Sequence, residues 1–385
     1  MRIIDADDGW LAGASPRFHE LVQFVRKFTL FLHGVSISRS LNAGRSLLAF
    51  IFRRPHWVRF PIHIKVDVSP MCQMSCPVCI HGQGTPFAHK PRLLKKPLFE
   101  KLVDEVWRHT AVLSLYNLGE PLLNPALPEM IAYAAKHGLS TYVTTNLSVR
   151  LSERSIEALV SSGLKSLLVA VDGISKETFG RQRIGGKFDL IFENARALVE
   201  ERRKQGSAFP RLQLQFLVFD FNRHEKPLVA QFARDLGFDE VHFVRGATTP
   251  WIAGAQPIAG PPKGPSPLPR CSWPYFSAVV LSNGQIAGCC KYRMSDIYDG
   301  GTITALGDVS TATFGEIYRG TAYRMARAMS SNPRSAGVQQ GHFCNGCASL
   351  YSEKVTDAGV QAAVLTAASA AGLSPLTEAS TQVQD

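Results

Sequence analysis

Residues 62–82 read IHIKVDVSPMCQMSCPVCIHG, and they place three cysteines, Cys72, Cys76 and Cys79, within eight positions just after an alternating apolar and polar run. The alternation in IHIKVDV (62–68) has the two-residue period of a strand. The stretch between the cysteines (Gln, Met, Ser, Pro, Val) has neither a strand nor a helix period that would bury all three thiols, so it reads as a loop.

Further along the chain the same alternation of short β-branched runs and longer helical periods continues. Strands are expected at 112–118, 139–145, 165–171, 211–219 and 239–244, and helices near 97–109, 127–138, 152–163, 188–205 and 224–237. Strands that alternate with helices imply a parallel sheet with right-handed crossovers. About six such units make an α/β fold, a partial (β/α)6 TIM-like barrel. In such barrels the reacting groups lie at the carboxyl ends of the strands. Cys72 to Cys79 follow the first strand, Gly119-Glu120 the second, Thr145-Asn146 the third and Asp172-Gly173 the fourth, so four unusual segments are expected at one mouth.

The remaining organisation follows from composition. Residues 1–60 form a basic, partly amphipathic extension, 61–248 the barrel, 249–270 a Pro/Gly-rich linker, 271–350 a small α+β domain bearing cysteines, and 351–385 an Ala/Ser/Thr-rich tail expected to be disordered toward its end. A hydrophobic content of 45% with 19% charged residues excludes wholesale disorder in a chain of 385 residues. The first residues, MRIIDADDGW, lack a secretory leader, and LLAFIF is too short to span a bilayer, so a cytoplasmic setting with reduced thiols is expected. There, clustered cysteines bind metal more often than they form disulfides.

The net charge is +11, and between Arg17 and Arg59 eight Arg or Lys stand against Glu20 alone. They are interleaved with Phe24, Phe28, Phe31, Leu47, Leu48 and Phe50. Two readings follow: a helical extension packed on the main domain with its arginines solvated, which is favoured, or an amphipathic surface over residues 17–60 for peripheral contact with anionic lipid at the inner membrane face, or for a phosphate-bearing substrate. No nucleic-acid motif accompanies the charge, so no nucleic-acid partner is expected.

Three chemistries compete for the cysteine trio. A structural zinc needs a fourth ligand, and only His81, across a very short loop, is nearby. A redox dithiol needs only C-x-x-C and leaves Cys72 without a purpose. An iron–sulfur cube held by three thiolates fits best, and its fourth iron is then left for another ligand.

Cys72-x3-Cys76-x2-Cys79 after the first strand of a βα barrel resembles the signature of the radical S-adenosylmethionine (radical SAM) superfamily. The resemblance implies a 4Fe–4S cluster whose open iron is chelated by S-adenosylmethionine, reductive cleavage of that cofactor to a 5'-deoxyadenosyl radical, and hydrogen-atom abstraction from substrate. NLGEPLLNP (117–125) is similar to the family's Gly-Gly-Glu segment, with Leu118 in place of the first Gly; Gly119 and Glu120 are then implied at the methionyl ammonium. VDG (171–173) and RQRIGGKFD (181–189) resemble further cofactor segments, implying Asp172 near the ribose and methionyl groups and Arg183 at the methionyl carboxylate. Asn146 is a candidate for ribose contact or, equally, a turn residue. Val78 stands where members often carry an aromatic residue that packs on adenine.

The other five cysteines also cluster. Cys271, Cys289, Cys344 and Cys347, with a hairpin turn at Asn283-Gly284, resemble the auxiliary-cluster extension called SPASM or twitch, and four ligands imply one auxiliary 4Fe–4S cluster. A tetrathiolate zinc site is the rival. Cys290 either packs, replaces Cys289 as ligand, or acts catalytically by giving a hydrogen atom to a substrate radical. The expected substrate is a small molecule, such as a sugar, a cyclitol or a lipid-linked compound, undergoing redox-coupled dehydrogenation or epimerisation. An external one-electron donor such as flavodoxin or ferredoxin is implied. A peptide-modifying maturase and a non-catalytic zinc or iron–sulfur protein are the alternatives.

Overall fold

A computed structural model describes residues 1–5, 36–83, 92–246, 259–264, 266–290, 304–337 and 339–353. Ahead of the barrel stand β1 (Arg2–Asp5) and α1 (Ile37–Ile51). The barrel units are β2 (His63–Val66), α2 (Lys96–Val106), β3 (Val112–Ser114), α3 (Leu127–Lys136), β4 (Ser140–Thr145), α4 (Glu153–Ser161), β5 (Ser166–Ala170), α5 (Lys176–Gln182), α6 (Phe188–Lys204), β6 (Arg211–Val218), α7 (Lys226–Asp235) and β7 (Glu240–Arg245). The C-terminal part contributes β8 (Ala259–Pro262), α8 (Trp273–Phe276), β9 (Ser277–Val280), β10 (Ile286–Ala287), α9 (Phe314–Arg319), α10 (Thr321–Ser331), α11 (Pro333–Ala336) and β11 (Tyr351–Glu353). The α/β fold expected from the alternation, a mostly parallel sheet with helices and a small C-terminal domain, is therefore the one observed.

Period-two patterning builds the layers. Ile64 and Val66 on β2, Leu113 on β3, Val143 on β4 and Leu167 and Val169 on β5 are buried among the helices, together with Phe99 and Val103 of α2 and Met130 and Ile131 of α3. On the other side of the strands, toward the barrel interior, His63, Lys65, Gln213, Gln215 and His242 are half-buried, Tyr142 is exposed and Ser114 is buried. Helices stop where the backbone must turn left-handed, as at Gly163 after α4 (φ 84°) and Gly237 after α7 (φ 80°), where a side chain would be strained.

The strand order is β1-β7-β6-β5-β4-β3-β2-β9-β10, and every pair is parallel except the β9–β10 hairpin. Two neighbours differ from the expected layout. Residues Arg2–Asp5 belong to the sheet, beside β7, and β9 lies against β2, the strand that leads into the cysteine loop. A partial barrel leaves two open edges of unpaired backbone groups, and these two strands cover them.

The first sixty residues are tied to the barrel by polar contacts. Arg39 is buried, and its guanidinium donates to Trp107 O (2.9 and 2.7 Å), His137 O (2.8 Å) and Gly138 O (2.5 Å), the carbonyls at the ends of α2 and α3. A cation at two helix C-termini satisfies orphan carbonyls and complements both dipoles. Burial lowers its pKa, so the ionised form is held by those carbonyls alone. Arg39→Ala is expected to cost about 3 kcal/mol, read as a lower denaturant midpoint, because buried carbonyls lose their donor. Arg45 donates to Trp57 O at 2.6 Å, and Arg53 to Ser331 O, Ser266 O and Pro267 O. Part of the basic segment is thus engaged within the chain, while Arg17, Glu20, Phe24, Arg26, Lys27, Phe28 and Phe31 lie outside the described residues, as do 249–258 of the expected linker and 354–385 of the tail.

Candidate functional site

The cysteine loop is seated by backbone contacts with two other loops, and by the Gln73 side chain on a third, where it donates to Asn146 Oδ1 (2.9 Å) and Ser148 O (3.2 Å). Glu120 N donates to Met71 O (2.7 Å), Ser75 N to Ile184 O (2.9 Å), and the loop closes on itself through Cys79 N to Cys76 O (3.0 Å) and Gly82 N to Cys79 O (2.9 Å). Gly119 is required by contact: a Cβ there would lie 2.3 Å from both Met71 O and Ser69 O. The loops after β2, β3, β4 and β5 therefore meet at one mouth, as the strand-end spacing predicts.

Glu120 is almost fully buried, and its carboxylate accepts from Thr145 Oγ1 (2.7 Å), Asn146 N (2.7 Å) and Leu122 N (3.0 Å). Burial raises its pKa, and these donors oppose that rise. Asn146 in turn donates from Nδ2 toward Cys72 Sγ at 3.7 Å, and its Oδ1 accepts from Gln73 Nε2 (2.9 Å) and Ser148 N (2.9 Å). Its carboxamide thus bridges β4 to the cysteine loop.

Asp172 and Arg183 meet each other. Arg183 Nε lies 2.7 Å from Asp172 Oδ2, so the two form a buried ion pair. Asp172 is fully buried, its other oxygen accepts from Leu217 N (3.1 Å), and its backbone carbonyl accepts from Asn222 Nδ2 (2.8 Å). Burial works against the charged forms of both partners. It raises the pKa of Asp172 despite Arg183, whereas for Arg183 the Asp172 carboxylate and Cys76 outweigh it and the pKa rises.

The thiols lie in the same field. Burial pushes Cys72 up to about 12; the Met74 N–H opposes this, and Glu120, Cys76 and Cys79 add to it. Cys76 is likewise raised by burial, with the Arg183 cation opposing. Glu120, Asp172 and Cys76 thus share the field of the Arg183 guanidinium, and Cys72 lies in the fields of Glu120, Cys76 and Cys79, an assembly short of positive charge. A cluster of iron ions bound by these sulfurs supplies that charge, so the donor set fits the 4Fe–4S group. Among the described residues no three His, Cys, Asp or Glu side chains close round a point as ligands of one ion would, and a cube, with one thiolate per iron, asks for wider spacing. His81, the alternative fourth ligand, uses Nε2 on Leu118 O at 3.0 Å.

The second set also assembles. Cys344 is half-buried; desolvation raises its pKa well above the ordinary thiol value, and Cys271, Cys289 and Cys347 all add to the rise. Cys289, not Cys290, is among the groups acting on Cys344 and on buried Tyr323. The turn at Asn283-Gly284 delivers Cys289 by a three-residue rather than a two-residue hairpin: Gly284 N donates to Leu281 O (2.9 Å), Leu281 N to Gln285 O (2.8 Å), and Gly284 takes φ 93°. The extra residue is the left-handed glycine that follows a tight turn.

Several lining residues escaped the motif reading. Gln73 and Thr145 position the loop and Glu120, and inside the barrel Lys65 lies over the Tyr116 ring (4.5 Å) while His63 Nε2 meets Ser114 Oγ (2.9 Å). The signal for the latter was present: a strand that alternates Ile-His-Ile-Lys has a polar face, and in a barrel that face is the interior.

The sequence profile of the radical SAM superfamily matches residues 66–209, and that of the iron–sulfur cluster-binding SPASM domain matches 271–348. The chain is 28% identical over 152 residues to dTDP-4-amino-4,6-dideoxy-D-glucose ammonia-lyase of Streptomyces venezuelae, covering 38% of this chain and 31% of that protein. It is 30% identical over 137 residues to GTP 3',8-cyclase of Rhodococcus opacus, covering 35% and 38%. The chain thus spans only about a third of the length of these relatives. Streptococcus suis SuiB bound to precursor peptide SuiA shares the fold with a TM-score of 0.55 at 11% identity, over 85% of this chain and 82% of that one. The chain belongs to the radical SAM superfamily, with a 4Fe–4S cluster and S-adenosylmethionine as its cofactors, and it carries a C-terminal SPASM domain for auxiliary iron–sulfur binding.

Proposed function

We propose that this radical SAM enzyme abstracts a hydrogen atom from a polar small molecule, a sugar, cyclitol or lipid-linked compound, in a redox-coupled dehydrogenation or epimerisation. The observation that carries the reading is the convergence of Cys72, Cys76 and Cys79 with Glu120, Asp172 and Arg183 at the carboxyl ends of parallel strands. In this reading the three thiolates hold the first cluster, which when bound supplies the electron that splits S-adenosylmethionine. Gly119 and Glu120 face the methionyl ammonium, Arg183 its carboxylate, and Asp172 orients Arg183, while Asn146 fixes the loop. Cys271, Cys289, Cys344 and Cys347 hold one auxiliary 4Fe–4S cluster, and Cys290 is left as a hydrogen-atom donor. An external flavodoxin- or ferredoxin-type donor supplies electrons.

The choice of a polar small molecule is supported by one face of the sheet, which carries Lys65, Tyr142, Gln215 and His242, with Lys65 lying over the Tyr116 ring. The sugar nucleotide named for the Streptomyces venezuelae relative agrees with it. Two measurements test the proposal. Anaerobic reconstitution is expected to give about eight iron per chain, for two cubes. Reduction with S-adenosylmethionine is then expected to release 5'-deoxyadenosine. A chain that takes up zinc in place of iron and releases none overturns it.

A further inference from the structure

Helix α1 is amphipathic in the reverse sense to an ordinary surface helix. Its buried face carries Arg39, Asn42 and Ser46 beside Ala43, Ala49 and Phe50. Its outward face carries Ile37 (80% exposed), Leu41 (69%), Leu48 (49%) and Ile51 (44%). These recur at spacings that put them on one side of a helix. The stripe continues past the helix end into Phe52 (60% exposed) and Trp57 (37%), whose rings meet edge to face at 6.4 Å. A contiguous apolar strip of this kind on a soluble surface marks an interaction site.

The charges around the strip are of one sign. Arg45, Arg54 and Arg59 are exposed, Arg45 is anchored to Trp57 O at 2.6 Å, and no Asp or Glu occurs from Ser36 to Arg59. The helix has 15 residues, and no helix among the described residues is long and apolar enough to cross a membrane. Large exposed apolar groups, a half-exposed Trp and neighbouring arginines are the composition of a helix that lies on a bilayer rather than through it.

We propose that α1 and the Phe52–Trp57 segment are a docking surface for an anionic bilayer. The apolar strip enters the boundary between headgroups and acyl chains, and Arg45, Arg54 and Arg59 sit over lipid phosphates. Two other occupants fit the charge less well. A second copy seated face to face by two-fold symmetry sets arginines against arginines. Residues 6–35 carry Arg17, Arg26 and Lys27 against Asp7, Asp8 and Glu20, so they bring no excess of negative charge.

The test is co-sedimentation of the full-length, cluster-loaded chain with vesicles of phosphatidylcholine alone and of phosphatidylcholine mixed with phosphatidylglycerol. The chain is expected to partition onto the anionic vesicles at least about tenfold better than onto the neutral ones, with the excess falling as salt is raised. The triple variant Leu41→Ser, Leu48→Ser, Phe52→Ser is expected to lose binding to both, while its 5'-deoxyadenosine release in vesicle-free solution stays unchanged, which shows that it folds. The double variant Arg54→Glu, Arg59→Glu is expected to lose only the preference for anionic lipid. Absence of vesicle binding by the unaltered chain overturns the proposal. So does a change from dimer to monomer on making the triple variant, which assigns the strip to a second copy, or a fall in its thermal stability without lipid, which assigns the strip to the chain's own residues.

Discussion

Cys76→Ala is expected to lower 5'-deoxyadenosine release by at least about a thousandfold, because the chemistry resides in the cofactors and this thiol is proposed to help hold them. Cys76 is the most enclosed of the trio, at 8% exposure, and the sulfur toward which Arg183 is turned. Its removal leaves two thiolates for a cube and frees Arg183 to pair with Asp172 alone. Iron is expected to fall from about eight to about four per chain, since the second set is built from separate residues. The matched comparison is Cys290→Ala, which is expected to keep the full iron content because Cys290 is not among the groups acting on Cys344. Retention of all the iron and of cofactor cleavage in Cys76→Ala would remove this thiol from the site.

The barrel strands were legible because each carries its own period: the helix-facing residues are apolar, the interior ones are not, and turns or helix ends punctuate them. The two edge strands were not. Arg2–Asp5 has only four residues, and its partner Glu240–Arg245 is more than two hundred positions away, so no local pattern announces the pairing. The parallel docking of β9 on β2 is equally non-local, and it makes the cysteine-bearing C-terminal part an extension of the barrel sheet rather than a body on a tether. Arg39 illustrates a different blindness. Charge in a sequence suggests solvent, and only the meeting of two helix ends around α1 shows that this guanidinium serves carbonyls.

In the site, composition located the mouth but not its internal wiring. Gly119-Glu120, Asn146, Asp172 and Arg183 are separate segments in the chain. Folded, they form two linked sets: Glu120 with Thr145 and Asn146, and Arg183 with Asp172 and Cys76. Adjacent Cys289 and Cys290 cannot be separated by spacing. In the folded chain Cys289 is the one among the groups acting on Cys344.

Gly119→Ala follows from the tightest of these contacts, and its effect is expected to be disproportionate to one methyl group. The added carbon would stand 2.3 Å from Met71 O and Ser69 O and 2.5 Å from Pro70 C, all of them backbone atoms that cannot rotate aside. Either the cysteine loop or the Glu120 segment must therefore move, and the 2.7 Å bond from Glu120 N to Met71 O is the first contact to be lost. Cys72 follows Met71 directly, so displacement passes to a proposed cluster ligand. A shift of about 1 Å at a reacting centre can cost about a hundredfold, and 5'-deoxyadenosine release is expected to fall by at least that much. The iron bound at the first site is expected to become labile to chelators while the auxiliary iron is retained. Gly44→Ala on α1 is the control: nothing lies within 4 Å of the new carbon, so stability should rise by about 0.5–1 kcal/mol with release unchanged. Equal release from both variants would mean that the loop is not seated on Gly119, and the fit of the three thiols to a cube would then have to be explained by some other support.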